Sequence, residues 1–261
     1  MPDPLLPVDT RSCFRPLFHA CSRCLAALPP DDWSRPTVAG SWQVRDVVAH
    51  MIDTGLRRVS FERDGVSPSP PDDPDLVVFL SRLNQQWVAA ARRFSPMVLL
   101  GLFDHMARAY AETVERIPLD RPALFPVSWA GERQSLAWFD LGRDFTEYWH
   151  HQMQIRDAVG APPETEPRWL HLVLDVGLRA LPHALRTVPA RSGTLLHVEV
   201  LGPSGGSWVV ARQDTGWALL LGTPDRPVAT HLRIQDRVLA RSLFNALPYD
   251  AARRAAQVHG D

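Results

Sequence analysis

The sequence predicts a helical domain followed by a smaller α+β domain, the first an antiparallel four-helix bundle. Three observations carry that prediction. Up to about residue 160 the apolar residues recur at helical spacing. Beyond that point short β-type runs alternate with Gly, Pro, Ser and Asp turns. The 261 residues are enough for one large or two small domains, and the 45% hydrophobic and 22% charged content is that of ordinary globular chains.

Taken in order, residues 9–28 place Leu17, Cys21, Cys24 and Leu25 close to a 3.6 period, and Pro29-Pro30 stops that helix. Residues 31–42 read as a loop. A second helix runs from Gln43 to Arg63 with Val44, Val47, Val48, Met51 and Ile52 on one face. The stretch 66–74 is a Pro/Ser/Asp loop. Residues 75–93 and 95–117 form one long helix or two broken near Ser95-Pro96. A loop with Pro118, Pro122 and Pro126 precedes a helix from Leu141 to Val159, which Gly160 ends. Residues 167–188 are again helical. Strands are expected at 194–201, 207–212, 216–221 and 227–234, and helices at 235–246 and 249–258. The domain boundary falls near 161–168, giving domains 1–162 and 163–261.

Charge and cysteine usage narrow the function. Twenty-eight basic and 29 acidic residues give a net charge of −1, with no basic stripe for nucleic acid. No apolar run approaches the ~18–20 residues of a membrane helix, and no leader is legible at the start. Three Cys between positions 13 and 24 make a poor disulfide framework and fit a reducing cytoplasm. Cys21-Ser22-Arg23-Cys24 lies mid-helix with no second pair, so core packing is the better reading than zinc or redox chemistry. The run Gly202-Pro203-Ser204-Gly205-Gly206 lacks the Lys and the following helix of a phosphate loop and reads as a hairpin turn.

The residues with chemistry are histidines and one carboxylate. Glu147 and His151, four apart on a helix, lie about 40° from each other on the wheel and can close on one metal ion, or simply touch at a surface. His50 lies in the apolar stretch Val47-Val48-Ala49-His50-Met51-Ile52, as a neutral core imidazole or as a ligand lining a bundle. His50, Glu147 and His151 together would supply three protein ligands and leave a fourth position open, the arrangement of catalytic zinc. His150 is an alternative to His151. Asp144 and Tyr148 are either supports for the ligands or a helix-terminal charge and a packing residue. Trp42 is either a wall of the metal pocket or plain core.

Two stretches carry a family resemblance. Trp33-Ser34-Arg35-Pro36-Thr37, followed by Gly40-Ser41-Trp42-Gln43-Val44-Arg45-Asp46-Val47-Val48-Ala49-His50, resembles the N-terminal signature of the mycothiol-dependent maleylpyruvate isomerase family, a DinB-like metalloprotein branch. Glu147-Tyr148-Trp149-His150-His151-Gln152-Met153-Gln154-Ile155-Arg156-Asp157-Ala158-Val159-Gly160 resembles its second signature. The resemblance covers about residues 8–160 and implies metal ligation by His50, Glu147 and His151. The C-terminal part is similar to the family's small sterol-carrier-like domain through Gly206-Ser207-Trp208, Pro227-Val228-Ala229-Thr230 and the ending Val258-His259-Gly260-Asp261. It implies an Arg near the substrate, Arg241 or its rival Arg237. The implied activity is isomerisation of, or S-transfer to, a small electrophile. A divalent metal, Zn²⁺ by preference, would activate a cosubstrate thiol such as mycothiol, with no nucleic-acid or membrane partner. The alternatives are a non-catalytic metal- or ligand-binding protein and a biosynthetic enzyme for an unrelated substrate.

Overall fold

The computed structural model describes residues 2–260, so Asp261 of the expected ending lies outside them. In chain order the elements are β1 (Asp3–Pro4), α1 (Arg11–Ala26), α2 (Val44–Glu62), α3 (Leu76–Ala91), α4 (Pro96–Val114), α5 (Ala137–Val159), α6 (Pro167–Leu178) and α7 (Leu181–Ala184). They are followed by β2 (Leu195–Leu201), β3 (Gly206–Gln213), β4 (Gly216–Leu221), β5 (Thr230–Gln235), α8 (Asp236–Leu243), α9 (Tyr249–Ala255) and β6 (Gln257–Gly260). The chain is thus helical with one mixed sheet. It divides into two compact units, and it passes between them more than once. The helical unit holds residues 11–117 and 147–164; the sheet unit holds 2–10, 118–146 and 165–260 of the described residues. None of the described helices is long and apolar enough to cross a membrane.

In the helical unit α2 packs on α4 and α3, and α1 packs on α4. An aromatic cluster fills the centre: Phe14, Phe18, Phe103, Tyr110 and the α5 residue Tyr148, with neighbouring ring centroids 4.8–6.3 Å apart, mostly edge to face. The break between α3 and α4 falls at Ser95-Pro96. Ser95 Oγ accepts from Val98 N, and Pro96 takes a first-turn position where its missing N–H costs nothing. Of the pair read as core, Cys21 is buried and Cys24 half-buried, and none of the three cysteines is in a disulfide.

The start of α2 is fixed by a reciprocal cap. Asp46 accepts from Gln43 N at 3.0 Å while the Gln43 side chain accepts from the Asp46 backbone. The buried Asp46 carboxylate also accepts two bonds from Arg92, each 2.9 Å. Burial alone would raise its pKa; the Arg92 guanidinium and the Gln43 N–H outweigh it, so the net shift is downward from 3.8. A depressed carboxylate stabilises the fold above its unfolded pKa, and that contribution disappears as the pH falls through the folded value. The stability advantage of the wild type over Asp46→Asn is therefore expected to be complete at neutral pH and to shrink below pH 3.8. Urea titrations of both proteins at several pH values check this, and a constant gap down to pH 2 would contradict it.

The six strands run in the order β1-β4-β3-β2-β5-β6. Among the described residues only β2 and β5 pair in parallel; the other pairings are antiparallel. The alternation of side chains puts Val198, Val200, Trp208, Val210 and Ile234 on one buried face. α8 packs on β2, β5 and α6. Asp175 on α6 accepts from Arg179 Nη2 at 2.8 Å and from Trp208 Nε1 at 3.3 Å, so one carboxylate ties the helix to the sheet. The Gly202–Gly206 run is the β2–β3 hairpin turn, with Gly202 at φ +114°.

Two expectations need correction, and one strand went unforeseen. The helix expected over 167–188 is broken: Pro182 would strike the Leu178 carbonyl of a continuous helix, and α6 stops at Leu178. The helix expected over 249–258 ends at Ala255, because Ala256 turns extended (φ −103°, ψ 144°) and Val258 pairs with Leu232 on the edge of β5. Pairing of β5's outer backbone groups overrides the helical preference of the local sequence. The two-residue β1, antiparallel to β4, carries no sequence signal.

Candidate functional site

α2 carries His50, Asp53 and Arg57 along one stripe, and α5 brings Glu147, His150 and His151. The His50 and His151 rings meet edge to face, with centroids 4.9 Å apart at 85°. Trp42, just before α2, has its ring centroid 5.1 Å from that of His50, tilted at 47°. Its Nε1 donates to Gln85 on α3, and Trp87 Nε1 donates to Ala49 O at 2.8 Å, which pins α3 beside the site. Glu147 Oε2 lies 3.6 Å from His151 Nε2; the Glu147 side chain is 51% exposed and that of His151 12%. The structure thus brings His50, His151 and Glu147 into one neighbourhood.

The protonation of the imidazoles follows from their partners. Burial first, then the nearby His151 and Arg57, bring the His50 pKa down to about 3, so the ring is neutral. Burial and His151 do the same to His150, also to about 3. His151 Nδ1 and Gln154 Oε1 are 2.9 Å apart, and Gln154 Nε2 and His150 Nε2 are 2.9 Å apart. An amide oxygen only accepts and an amide nitrogen only donates. With the amide so placed, His151 Nδ1 donates to Gln154 and His150 Nε2 accepts from it. That separates the two adjacent histidines: His151 has a nitrogen to offer a ligand and His150 has committed this one to Gln154.

Two buried nitrogens of the pair have no hydrogen-bond partner, His50 Nδ1 and His151 Nε2. Buried imidazole nitrogens without a hydrogen-bond partner, one of them on a ring oriented through its other nitrogen by an amide oxygen, are the donor chemistry that suits a divalent cation. Among the described residues, however, no group of three or more His, Cys, Asp or Glu side chains is arranged to hold one.

The remaining expected residues fall out as follows. Tyr148 points into the aromatic cluster, its hydroxyl 3.5 Å from Met51 O. Asp144 lies in the segment of α5 belonging to the sheet unit and pairs with Arg143 at 3.1 Å. Arg241 and Arg237 are both exposed on α8 of the sheet unit. Gln154 and Arg57 went unremarked in the sequence, although Gln154 lies three and four residues beyond the two histidines and Arg57 two helical turns beyond His50.

Comparison with known proteins gives two findings. Residues 14–156 match the family described as the mycothiol maleylpyruvate isomerase N-terminal domain. The fold resembles the crystal structure of a mycothiol-dependent maleylpyruvate isomerase at a TM-score of 0.56 and 13% identity, covering 91% of this chain and 89% of that one. A histidine-to-alanine mutant of the mycothiol-dependent maleylpyruvate isomerase gives the same values. No curated protein matches the chain.

Proposed function

The chain belongs to the mycothiol maleylpyruvate isomerase N-terminal domain family, and from that premise we propose that it is a metal- and thiol-dependent enzyme, an isomerase or S-transferase acting on a small electrophile. The observation that carries the reading is the pair of partnerless buried nitrogens, His50 Nδ1 and His151 Nε2, on rings 4.9 Å apart. His50, His151 and Glu147 would hold the cation, Zn²⁺ by preference among borderline-soft divalent metals. When bound, the cation would supply the Lewis acidity that keeps a thiol deprotonated at neutral pH.

The chain's residues supply the rest. Burial raises the thiols of Cys21 and Cys24, so neither is a ready thiolate, and the sulfur nucleophile comes from a small cosubstrate such as mycothiol. The Gln154 amide holds His151 in one tautomer and orientation. Trp42 covers the His50 ring and keeps water from it. For isomerisation the thiolate adds to a conjugated cis double bond, the resulting single bond rotates, and elimination of the same thiolate releases the trans product. For S-transfer the adduct is released instead. We read residues 1–162 as a DinB-like four-helix-bundle domain and 163–261 as a sterol-carrier-like domain whose Arg241, or Arg237, holds a substrate carboxylate, in a cytoplasmic protein.

A second reading is a protein that binds a metal or a small ligand without catalysis. Elemental analysis separates the two. The wild type is expected to carry about one equivalent of metal and His50→Ala to lose it. The loaded wild type is then expected to turn over maleylpyruvate only when mycothiol is added. Equal metal content in both proteins removes His50 from the site. A loaded protein indifferent to thiols removes the enzyme reading.

A further inference from the structure

The sheet unit has histidines of its own, and the strand register sets them in a row. His197 on β2 stands opposite His231 on β5, and His231 opposite His259 on β6. Two residues further along, on the same face, Ser207, Glu199, Arg233 and Gln257 line up across β3, β2, β5 and β6. Contacts join the two rows into one string. Ser207 Oγ donates to Gly222 O, just past β4, at 2.9 Å. With that hydrogen so placed, His197 Nε2 donates to Ser207 Oγ at 2.7 Å. Glu199 Oε2 accepts from His231 Nε2 at 3.0 Å and from Arg233 Nε at 2.8 Å, and Arg233 Nη1 donates to Gln257 Oε1 at 3.2 Å. Between the two halves of the string stands a ring stack. The imidazoles of His197 and His231 lie 4.4 Å apart, their planes 15° from parallel.

Two rings stacked this closely hold one proton between them more easily than two, because like charges repel and the titrations are coupled. A cation on His231 faces the Glu199 carboxylate. A cation on His197 faces the Ser207 hydroxyl, the buried Val209 opposite it on β3, and the other ring. Burial first, then His231, hold the His197 pKa below 6.5, and the attraction of Glu199 only partly offsets them. The folded chain thus binds fewer protons at His197 than the unfolded chain. The stability this contributes is complete above pH 6.5 and falls as the pH drops below it. Arg233 and His259 are the other cationic or titratable groups in the two rows, and Glu199 is their one carboxylate. Asp236 heads α8, which packs on β2 and β5, but it accepts from Ser204 N and Arg237 N.

We propose that the His197–His231 stack is an acid-sensitive joint of the sheet: a second proton on the pair drives the rings apart, parts the string between β2 and β5, and loosens the β5–β6 ribbon while β2, β3 and β4 stay paired. β6 joins the sheet only through β5, so what frees one strand frees both. The joint lies within the sheet unit and asks nothing of the metal site.

Backbone amide exchange of the full chain tests this, read by mass spectrometry on peptides from each strand and corrected for the intrinsic rate at each pH. Between pH 7.5 and pH 5.0 the protection of β5 and β6 is expected to fall about tenfold or more in the wild type, with β3 and β4 changing less. His197→Phe keeps a ring to stack and has no site for a proton, so it is expected to hold its protection at pH 5.0. Should that variant fail to fold, His197→Gln carries the test, since its amide can still donate to Ser207 without titrating. Three results overturn the joint. One is a wild type equally protected at both pH values. Another is an equal fall in wild type and variant. The third is a loss spread as fully over β3 and β4 as over β5 and β6.

Discussion

Replacing Trp208 by alanine is expected to destabilise the sheet unit by about 3–5 kcal/mol, the usual cost of emptying a large aromatic site that cannot collapse. Trp208 is fully buried and is the largest side chain so placed. It stands between Val198 and Leu221 in the pairing of β2, β3 and β4. The His171 ring stacks on it at 5.7 Å. Its neighbour Gly206 has no room for a side chain, since a Cβ there would come within 2.7 Å of the indole. Truncation would leave a void and also strip Asp175 of its Trp208 partner, so a buried carboxylate would rely on Arg179 alone. Urea unfolding followed by circular dichroism measures the loss. A value under about 1 kcal/mol would mean that the surroundings close over the gap.

The second large effect concerns Gly55. A glycine in mid-helix normally costs about 0.5–1 kcal/mol relative to alanine, so substitution by a larger residue looks favourable on propensity alone. Packing reverses the sign here. A Cβ at Gly55 would lie 2.3 Å from Met106 Sδ and 2.9 Å from the Tyr148 hydroxyl, and Met106 is fully buried. Overpacking of this kind costs about 1–3 kcal/mol and sometimes more, so Gly55→Val is expected to lose about 3 kcal/mol. Gly55 lies between Asp53 and Arg57, and Tyr148 follows Glu147. A Cβ at this point also meets Tyr148 on α5, the helix that carries His151, so a wedge here disturbs the packing of α5 on α2. Thermal unfolding and metal content are expected to fall together in this variant. Full metal occupancy in a destabilised Gly55→Val protein would show that the two helices can separate without disturbing the imidazole pair.

Helix spans were legible wherever apolar periodicity and a stop signal agreed: Pro29-Pro30 after α1, Ser95-Pro96 between α3 and α4, and Gly160 after α5. They failed where tertiary contacts decide. The stretch Ala251-Ala252-Arg253-Arg254-Ala255-Ala256 is a good helix former to its last residue, and nothing local announces that the residues after it will pair with β5. Two-residue β1 contains Pro4 and shows no alternation at all. Of the site, the i,i+4 relation of Glu147 to His151 and the isolated polar residue His50 in an apolar run could be read directly. The Asp53–Arg57 pair could not, because at i,i+4 it looks like any solvated helix ion pair, and its partial burial is a matter of tertiary packing. Gln154 was equally silent: its effect lies in which nitrogen of His151 keeps the proton, and that depends on a rotamer rather than on spacing.

The sheet ends on each side in a very short strand, two residues of β1 beyond β4 and four of β6 beyond β5. A row of unsatisfied amides on a long outer strand is a template for another chain, and such scraps of pairing hide it. β6 thus takes up the outer backbone groups of Thr230–Arg233, which would otherwise face another chain. Cutting the chain after Ala256 would leave the interior packing of the sheet untouched and yet turn its flank adhesive, converting a folding problem into a solubility one.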